Sequence, residues 1–225
     1  MTNSPLLSIG NRKPIIALDC DGVLLDYQTT FPQIYKSVFG KQLTLVSPKS
    51  YHATTRYGVT FTPEERSQFN AAWDVDGWRT MFMHDGALEA CHLLHAAGYE
   101  LVCVTALRAC FIEHRLENFR LHGFPIDQII STRRDIESSD NNPKKQAIEQ
   151  LHPIVFVDDK KRNFQDIEGV QTKFVLIDHE LENDPYRDEN IHYDAKYPSL
   201  LAFVKDFLKD DVIWLNRSDC LVSSN

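Results

Sequence analysis

The chain has 225 residues, 43% of them apolar and 25% charged, and a formal net charge of −8. This composition excludes a disordered or fibrous chain, and the length allows a sizeable core in one domain or in one domain with an insert. The acidic balance argues against a nucleic-acid polymer as partner, because neutralising its phosphates needs a basic face; a local basic pocket for one small anion stays compatible with it.

The cysteines Cys20, Cys91, Cys103, Cys110 and Cys220 show no C-x-x-C spacing, and the histidines form no H-x-H or H-E-x-x-H cluster, so no zinc site is expected. Their odd number and irregular spacing read as reduced thiols of a cytoplasmic protein. Residues 1–13 lack the charged start and apolar stretch of a signal peptide. The apolar runs fall far short of the roughly 18 residues that cross a bilayer, so no membrane partner is expected. The oligomeric state is not legible.

The first apolar run, residues 14–18, is continuous and largely β-branched, which predicts a strand buried on both faces. It stops at Asp19-Cys20-Asp21-Gly22. In an extended chain, side chains i and i+2 point to one side, so both carboxylates face one region. Two like charges there cost free energy unless a cation or a shared proton relieves them.

Residues 27–83 offer no convincing strand. Helix signals cover residues 30–39 and 62–73, the second opening with Thr62 and Glu65 as a capping box and Pro63 at the first helical position. The segment is rich in aromatics: Tyr27, Phe31, Tyr35, Tyr51, Tyr57, Phe61, Trp73, Trp78 and Phe82. It reads as a small helical insert, dividing the chain into a core of residues 1–26 and 84–225 and a cap of residues 27–83.

Beyond it, residues 86–97 place Leu88, Cys91 and Leu94 on one helical face and end at Gly98. Residues 101–104 form a second strand, followed by Thr105, Ala106, Leu107 and Arg108. Residues 109–122 carry Ile112, Leu116 and Phe119 at helical spacing and end at Gly123. A weaker strand lies at Ile129-Ile130, and residues 132–142 read as a polar surface loop. Residues 143–151 form a helix opening on proline, with Lys144 and Lys145 at its start and Ala147, Ile148 and Leu151 buried. Residues 154–157 form a strand that ends in Asp158 and Asp159 before Lys160, Lys161, Arg162 and Asn163. A strand at residues 174–177 and a helix at 199–208 close the pattern, and the tail after Lys209 reads as surface.

Alternating strands and helices predict an α/β fold, a doubly wound parallel sheet with right-handed crossovers. In such sheets ligands bind beyond the carboxyl ends of the strands. An acid at a strand end, taken alone, reads as a turn residue or helix cap; a threonine there, or an exposed lysine pair, is equally ordinary. The ordered set of D-x-D, Thr, Lys and Asp-Asp, each at the edge of an apolar run, predicts one shared site.

That order resembles the haloacid dehalogenase-like (HAD) superfamily, from about Lys13 to Ile177, with the first motif present as Ile15-Ile16-Ala17-Leu18-Asp19-Cys20-Asp21-Gly22-Val23-Leu24. The resemblance implies a Rossmann-like core with a helical C1 cap inserted after the first strand. It casts Asp19 as the nucleophile that forms an aspartyl-phosphate, and Asp21 as the general acid and base. It casts Thr105 as a hydroxyl donor to the phosphoryl oxygens, and Lys144 as the lysine that neutralises Asp19 and the phosphate. Lys144 is preferred to Lys145 because it stands three residues before Ala147.

Mg²⁺ is the implied cofactor, held by the Asp19 carboxylate, the Asp21 backbone carbonyl and Asp159, with Asp158 on the metal side or supporting it. Substrate contacts are expected from the backbone near Cys20 and Gly22, from Ala106 and from Arg108. Ala106 departs from the family's second small polar donor, Asn163 replaces a further acid, and Asp85-Gly86 replaces Pro-Gly. The acid at position 21 favours a phosphomonoesterase over a dehalogenase, whose bond cleavage needs no leaving-group proton. A phosphotransferase and a non-catalytic, receiver-like phosphate-binding module are the alternatives. The implied substrate is a small phosphorylated metabolite; a likeness to the 5′-nucleotidase branch adds a nucleotide as one option.

Overall fold

The computed structural model describes residues 13–132, 142–185 and 190–215. Its centre is a parallel sheet of six strands in the order β5-β4-β1-β6-β7-β8: β1 Ile15–Leu18, β4 Glu100–Thr105, β5 Gln128–Ser131, β6 Val155–Asp158, β7 Lys173–Ile177 and β8 Ala195–Tyr197. The chain lays β4 and β5 on one side of β1, then β6, β7 and β8 on the other. That reversal brings the carboxyl ends of β1, β4 and β6 side by side, where a doubly wound sheet holds its ligand.

The alternation of side chains divides the core in two. Ile16, Leu18, Leu101, Cys103, Val155 and Val157 face one layer, with Ala90, Cys91 and Leu94 of α5 (Ala87–Ala96) and Phe203 and Phe207 of α8 (Leu200–Phe207). Ala17, Val102, Val104, Phe156 and Leu176 face the other, against Ile148 of α7 (Lys145–Leu151). Burial on both faces is the reason these strands read as continuous rather than alternating apolar runs.

Between β1 and α5 the chain forms α1 (Tyr27–Phe39), α2 (Ala53–Arg56), α3 (Pro63–Ala72), a π-helical turn at Trp73–Gly77 and α4 (Trp78–Thr80), the stretch expected as a helical insert. The Thr62–Glu65 capping box opens α3 as expected. α1 starts three residues earlier than its sequence signal, because the Asp26 carboxylate accepts the Gln28 and Thr29 amides and caps it. A two-residue ribbon corrects the expectation of no strand in this segment: β2 (Leu25–Asp26) pairs antiparallel with β3 (Phe82–Met83) where the chain leaves and re-enters the core. The insert also touches the core far from this ribbon. The Tyr51 amide donates to the Glu182 carbonyl (2.9 Å) and the Glu182 amide to the Lys49 carbonyl (2.6 Å), clasping a cap loop to the segment after β7.

Three further differences have simple causes. The edge strand β8 is three residues long and half exposed, so it carries no apolar run. The tail after Lys209 does not run free on the surface: α9 (Asp211–Leu215) buries Trp214 against Phe203 and Phe207. In α6 (Ile112–His122) the buried residues are Arg115, Asn118 and Phe119, while Ile112 and Leu116 are half-buried. Most of the polar loop at 132–142 lies outside the described residues.

Candidate active site

The backbone of β1 ends where the Asp19 amide donates to the Val157 carbonyl (2.9 Å), which fixes the next side chain between β4 and β6. Asp19 is 5% exposed, and its Oδ1 accepts from Lys144 Nζ (2.7 Å) and from the Cys20 amide (2.6 Å). Lys144, 1% exposed, also reaches Asp158 Oδ2 (2.6 Å). Burial opposes its charge, but Asp158 and Asp19 outweigh that and hold the ammonium above the ordinary lysine range. Lys145, by contrast, points outward to Glu149 and the Asp166 carbonyl. Geometry therefore selects between the two lysines.

Asp158 is held by four contacts. Its Oδ1 accepts from the Lys160 amide (2.8 Å) and Asn163 Nδ2 (2.9 Å), and its Oδ2 from Lys144 and again Asn163 Nδ2 (2.9 Å). Asn163, read in the sequence as a departure, is buried and serves as a support for Asp158. Asp159 is the opposite case: its Oδ1 is buried with no partner. Burial, with the neighbouring charges of Asp158 and Asp19, pushes its carboxyl well above the usual range, against the pull of Lys160.

Oxygens of Asp19, Asp158 and Asp159 lie within 4.8 Å of one another. All are hard oxygen donors, and an orphaned buried carboxylate beside two others is the arrangement a cation relieves, so the residues present fit Mg²⁺. Gly22 makes room for the Asp159 side chain. Its φ is +97°, and a Cβ there would sit 2.6 Å from Asp159 Cγ.

The Asp21 carboxylate does not join this cluster. It pairs with Arg115 Nη2 of α6 at 2.8 Å. Arg115 is 0% exposed, lies over the Trp78 ring and donates to the Met81 sulfur. Burial raises the Asp21 carboxyl, and Arg115 holds that rise in check. Sequence reading did not single out Arg115, which stands beside the apolar set Ile112, Leu116 and Phe119 and belongs to no motif. Asn118 and His122, on the same helix, bond the Arg79 and Met81 carbonyls where the cap returns to the core.

Thr105 ends β4, buried, its Oγ1 accepting from the Leu107 amide (3.2 Å). With Asp19, Asp21, Ala106, Arg108, Lys144 and Lys160 it lines a cavity of about 150 Å³. Arg108 is turned to the cap, paired with Asp74 at 3.1 Å and stacked on Phe111. Cys20 is fully buried, with its amide held by Asp19 Oδ1; burial, then its contact with Cys103, raises its thiol well above the usual range.

A second cavity of about 640 Å³ opens beside the first and shares Asp21 and Lys160 with it. Its floor adds Gly22, Asp26, Asp159, His84 and His179; its roof is cap, with Tyr27, Gln28, Tyr51, Arg56 and Arg66. His179 Nε2 lies 2.7 Å from the Gly22 carbonyl and its ring stacks on His84.

No protein-family model matches the chain, and no curated protein matches it in sequence. Solved structures do match in fold. An L-2-haloacid dehalogenase superposes with a TM-score of 0.57 over 88% of this chain and 100% of its own, at 13% identity. A protein assigned as a beta-phosphoglucomutase, from Thermotoga maritima, gives 0.56 over 87% and 100%, at 15% identity. A HAD family hydrolase from Deinococcus radiodurans, with bound phosphate and sodium, gives 0.54 over 88% and 96%, at 16% identity. Each neighbour is spanned almost end to end, and on that ground the chain has the fold of the haloacid dehalogenase-like hydrolases.

Proposed function

We propose that the protein is a Mg²⁺-dependent phosphomonoester hydrolase acting through an aspartyl-phosphate on Asp19. One observation carries the reading: a buried carboxylate held by Lys144 at the wall of a small cavity, with a second carboxylate two residues on. The neighbours include a dehalogenase, but an acid at position 21 and an orphaned Asp159 both serve phosphoryl chemistry and have no task in breaking a carbon–halogen bond.

In the first step an oxygen of Asp19 attacks phosphorus and the bond to the leaving alkoxide breaks, with Asp21 giving that oxygen its proton. In the second, Asp21 takes a proton from water, the hydroxide adds to phosphorus, and the acyl-phosphate bond breaks to release phosphate and restore Asp19. Lys144 offsets the charge of Asp19 and the phosphoryl oxygens throughout, while Thr105 and the backbone near Cys20 donate to those oxygens. Asp19, Asp159 and the Asp21 carbonyl would hold Mg²⁺, which would supply the charge that lets an anionic nucleophile approach an anionic ester.

The substrate is a small phosphorylated metabolite. Phe31, Phe61, Phe69 and Trp73 pack on one another within the cap. Tyr27 and Tyr51 remain at the larger cavity.

The test is turnover of an aryl phosphate with Mg²⁺ and with EDTA, followed by intact mass. Chelation abolishes turnover, Asp19→Asn forms neither product nor phosphoenzyme, and Asp21→Asn accumulates one added phosphoryl group. General acid–base help is worth roughly 10²–10⁴-fold, so that species builds up on a manual time scale. Full activity without metal, or an active Asp19→Asn protein, defeats the reading.

A further inference from the structure

We propose that the leaving half of the substrate carries a second anionic group, a carboxylate or another phosphoryl, and that Arg56 and Arg66 of the cap seat it. The proposal rests on the phosphomonoesterase reading and goes beyond it by naming the chemistry of the part that leaves.

The cavities set the frame. The smaller one, about 150 Å³, has room for little beyond the phosphoryl group. The larger, about 640 Å³, falls in the range of small-molecule sites and joins the first at Asp21 and Lys160. A phosphoester whose phosphorus lies at Asp19 therefore extends its alcohol under the cap.

The charges of the larger cavity are sorted by side. Its acids belong to the floor and each has an occupation: Asp21 pairs with Arg115, Asp26 caps α1, and Asp159 belongs to the carboxylate cluster. Its roof holds two cations and no acid. Arg56 spends its Nε on the Ser50 carbonyl (3.3 Å), and the guanidinium of Arg66 lies over the Phe61 ring. Among the described residues neither arginine has a carboxylate within ion-pair distance. Acids outnumber bases by 32 to 24 in this chain, so a roof that holds two cations and no acid reverses the local balance on that side of the cavity. A guanidinium fork matches a carboxylate or phosphoryl group in two parallel hydrogen bonds.

Two details orient the ligand further. Gln28 gives its Nε2 to the Tyr51 carbonyl (2.6 Å), while its Oε1 is buried without a partner, an acceptor suited to a hydroxyl or amine of the leaving group. The clasp between Tyr51 and Glu182 fixes the loop that carries part of this roof, so the cavity is formed before anything enters it.

The experiment compares esters differing in the second anion alone: 3-phosphoglycerate against glycerol 3-phosphate, and a hexose bisphosphate against its monophosphate. The wild-type protein should favour the anionic member by about tenfold or more in kcat/KM, the factor one charge-assisted hydrogen bond supplies. In Arg56→Gln/Arg66→Gln that ratio should collapse toward one. The first pair reads a carboxylate, the second a phosphoryl group. Equal turnover within both pairs, or a ratio that survives the double substitution, overturns the proposal.

If the wild-type protein hydrolyses no ester at all, the phosphomonoesterase reading fails separately. Calorimetry then decides the inference. Tighter binding of 3-phosphoglycerate than of glycerol 3-phosphate, lost in the double variant, supports it; equal affinities overturn it. Both arginines lie at the cavity surface on short cap helices, so circular dichroism should show the variant folded.

Discussion

Two buried cations, Lys144 and Arg115, each take one of the paired acids, and they divide the work of the site between them. Lys144 neutralises Asp19 and Asp158 at once. Removing one partner of a buried pair leaves an uncompensated charge and costs about 3–5 kcal/mol. Lys144→Met should therefore lower both activity and the free energy of unfolding by urea. Arg115 instead fixes where the Asp21 carboxylate points. Arg115→Met should slow hydrolysis of an alkyl phosphate, whose leaving group needs a proton, more than that of an aryl phosphate, and Arg115→Lys should recover part of the difference. An equal loss on both esters would assign Arg115 to packing alone. Gly22 belongs to this scale too. Its positive φ and the nearness of Asp159 leave no place for a methyl group, so Gly22→Ala should raise the Mg²⁺ concentration for half-maximal rate by about tenfold or more, measured by titration.

Among the elements, the cap is the part whose stability can be changed without touching the chemistry. α3 depends on its capping box, with the Glu65 amide on Thr62 Oγ1 (3.2 Å) and the Thr62 amide on Glu65 Oε2 (2.8 Å). Thr62→Ala should cost about 1 kcal/mol. Hydrogen exchange should show faster amides in α3 and unchanged protection in β1, β4 and β6; an equal loss in both places would mean that cap and core unfold as one unit. α6 is the element least readable beforehand. Its inward face carries Arg115 and Asn118 with Phe119, because the cap return and Asp21 demand polar partners there. A periodicity counted on apolar residues rotates such a helix away from its buried side.

At the scale of the molecule, the sheet is closed off by the last described helix. Trp214 is 4% exposed, packs edge-to-face on Phe203 and Phe207, and donates its Nε1 to the Tyr197 hydroxyl (3.1 Å). Trp214→Ala should cost about 3–5 kcal/mol, and at roughly 2–4 °C per kcal/mol calorimetry should show Tm falling by about 10 °C. A change within 2 °C, on the order of the shift one kcal/mol gives, would return the tail to the surface role that its sequence suggests.

The sequence alone determined the parallel α/β core, the helical insert and the residues at three strand ends: Asp19 with Asp21, Thr105, and Asp158 with Asp159. These are legible because each apolar run is continuous over four or five residues and breaks at the polar group it presents, a signal wholly contained in neighbouring positions. The tertiary structure put Lys144, which family resemblance had already preferred, rather than Lys145 against the acids, and it alone decided that Arg115 meets Asp21 from 94 residues away. It also decided that Asn163 supports Asp158, and that Arg56 and Arg66 meet on the cap side of one cavity with no acid beside them on that side. None of these has a local signature. Pairing across such distances follows from which strands lie adjacent and how the cap folds back, and short-range periodicity carries no information about either.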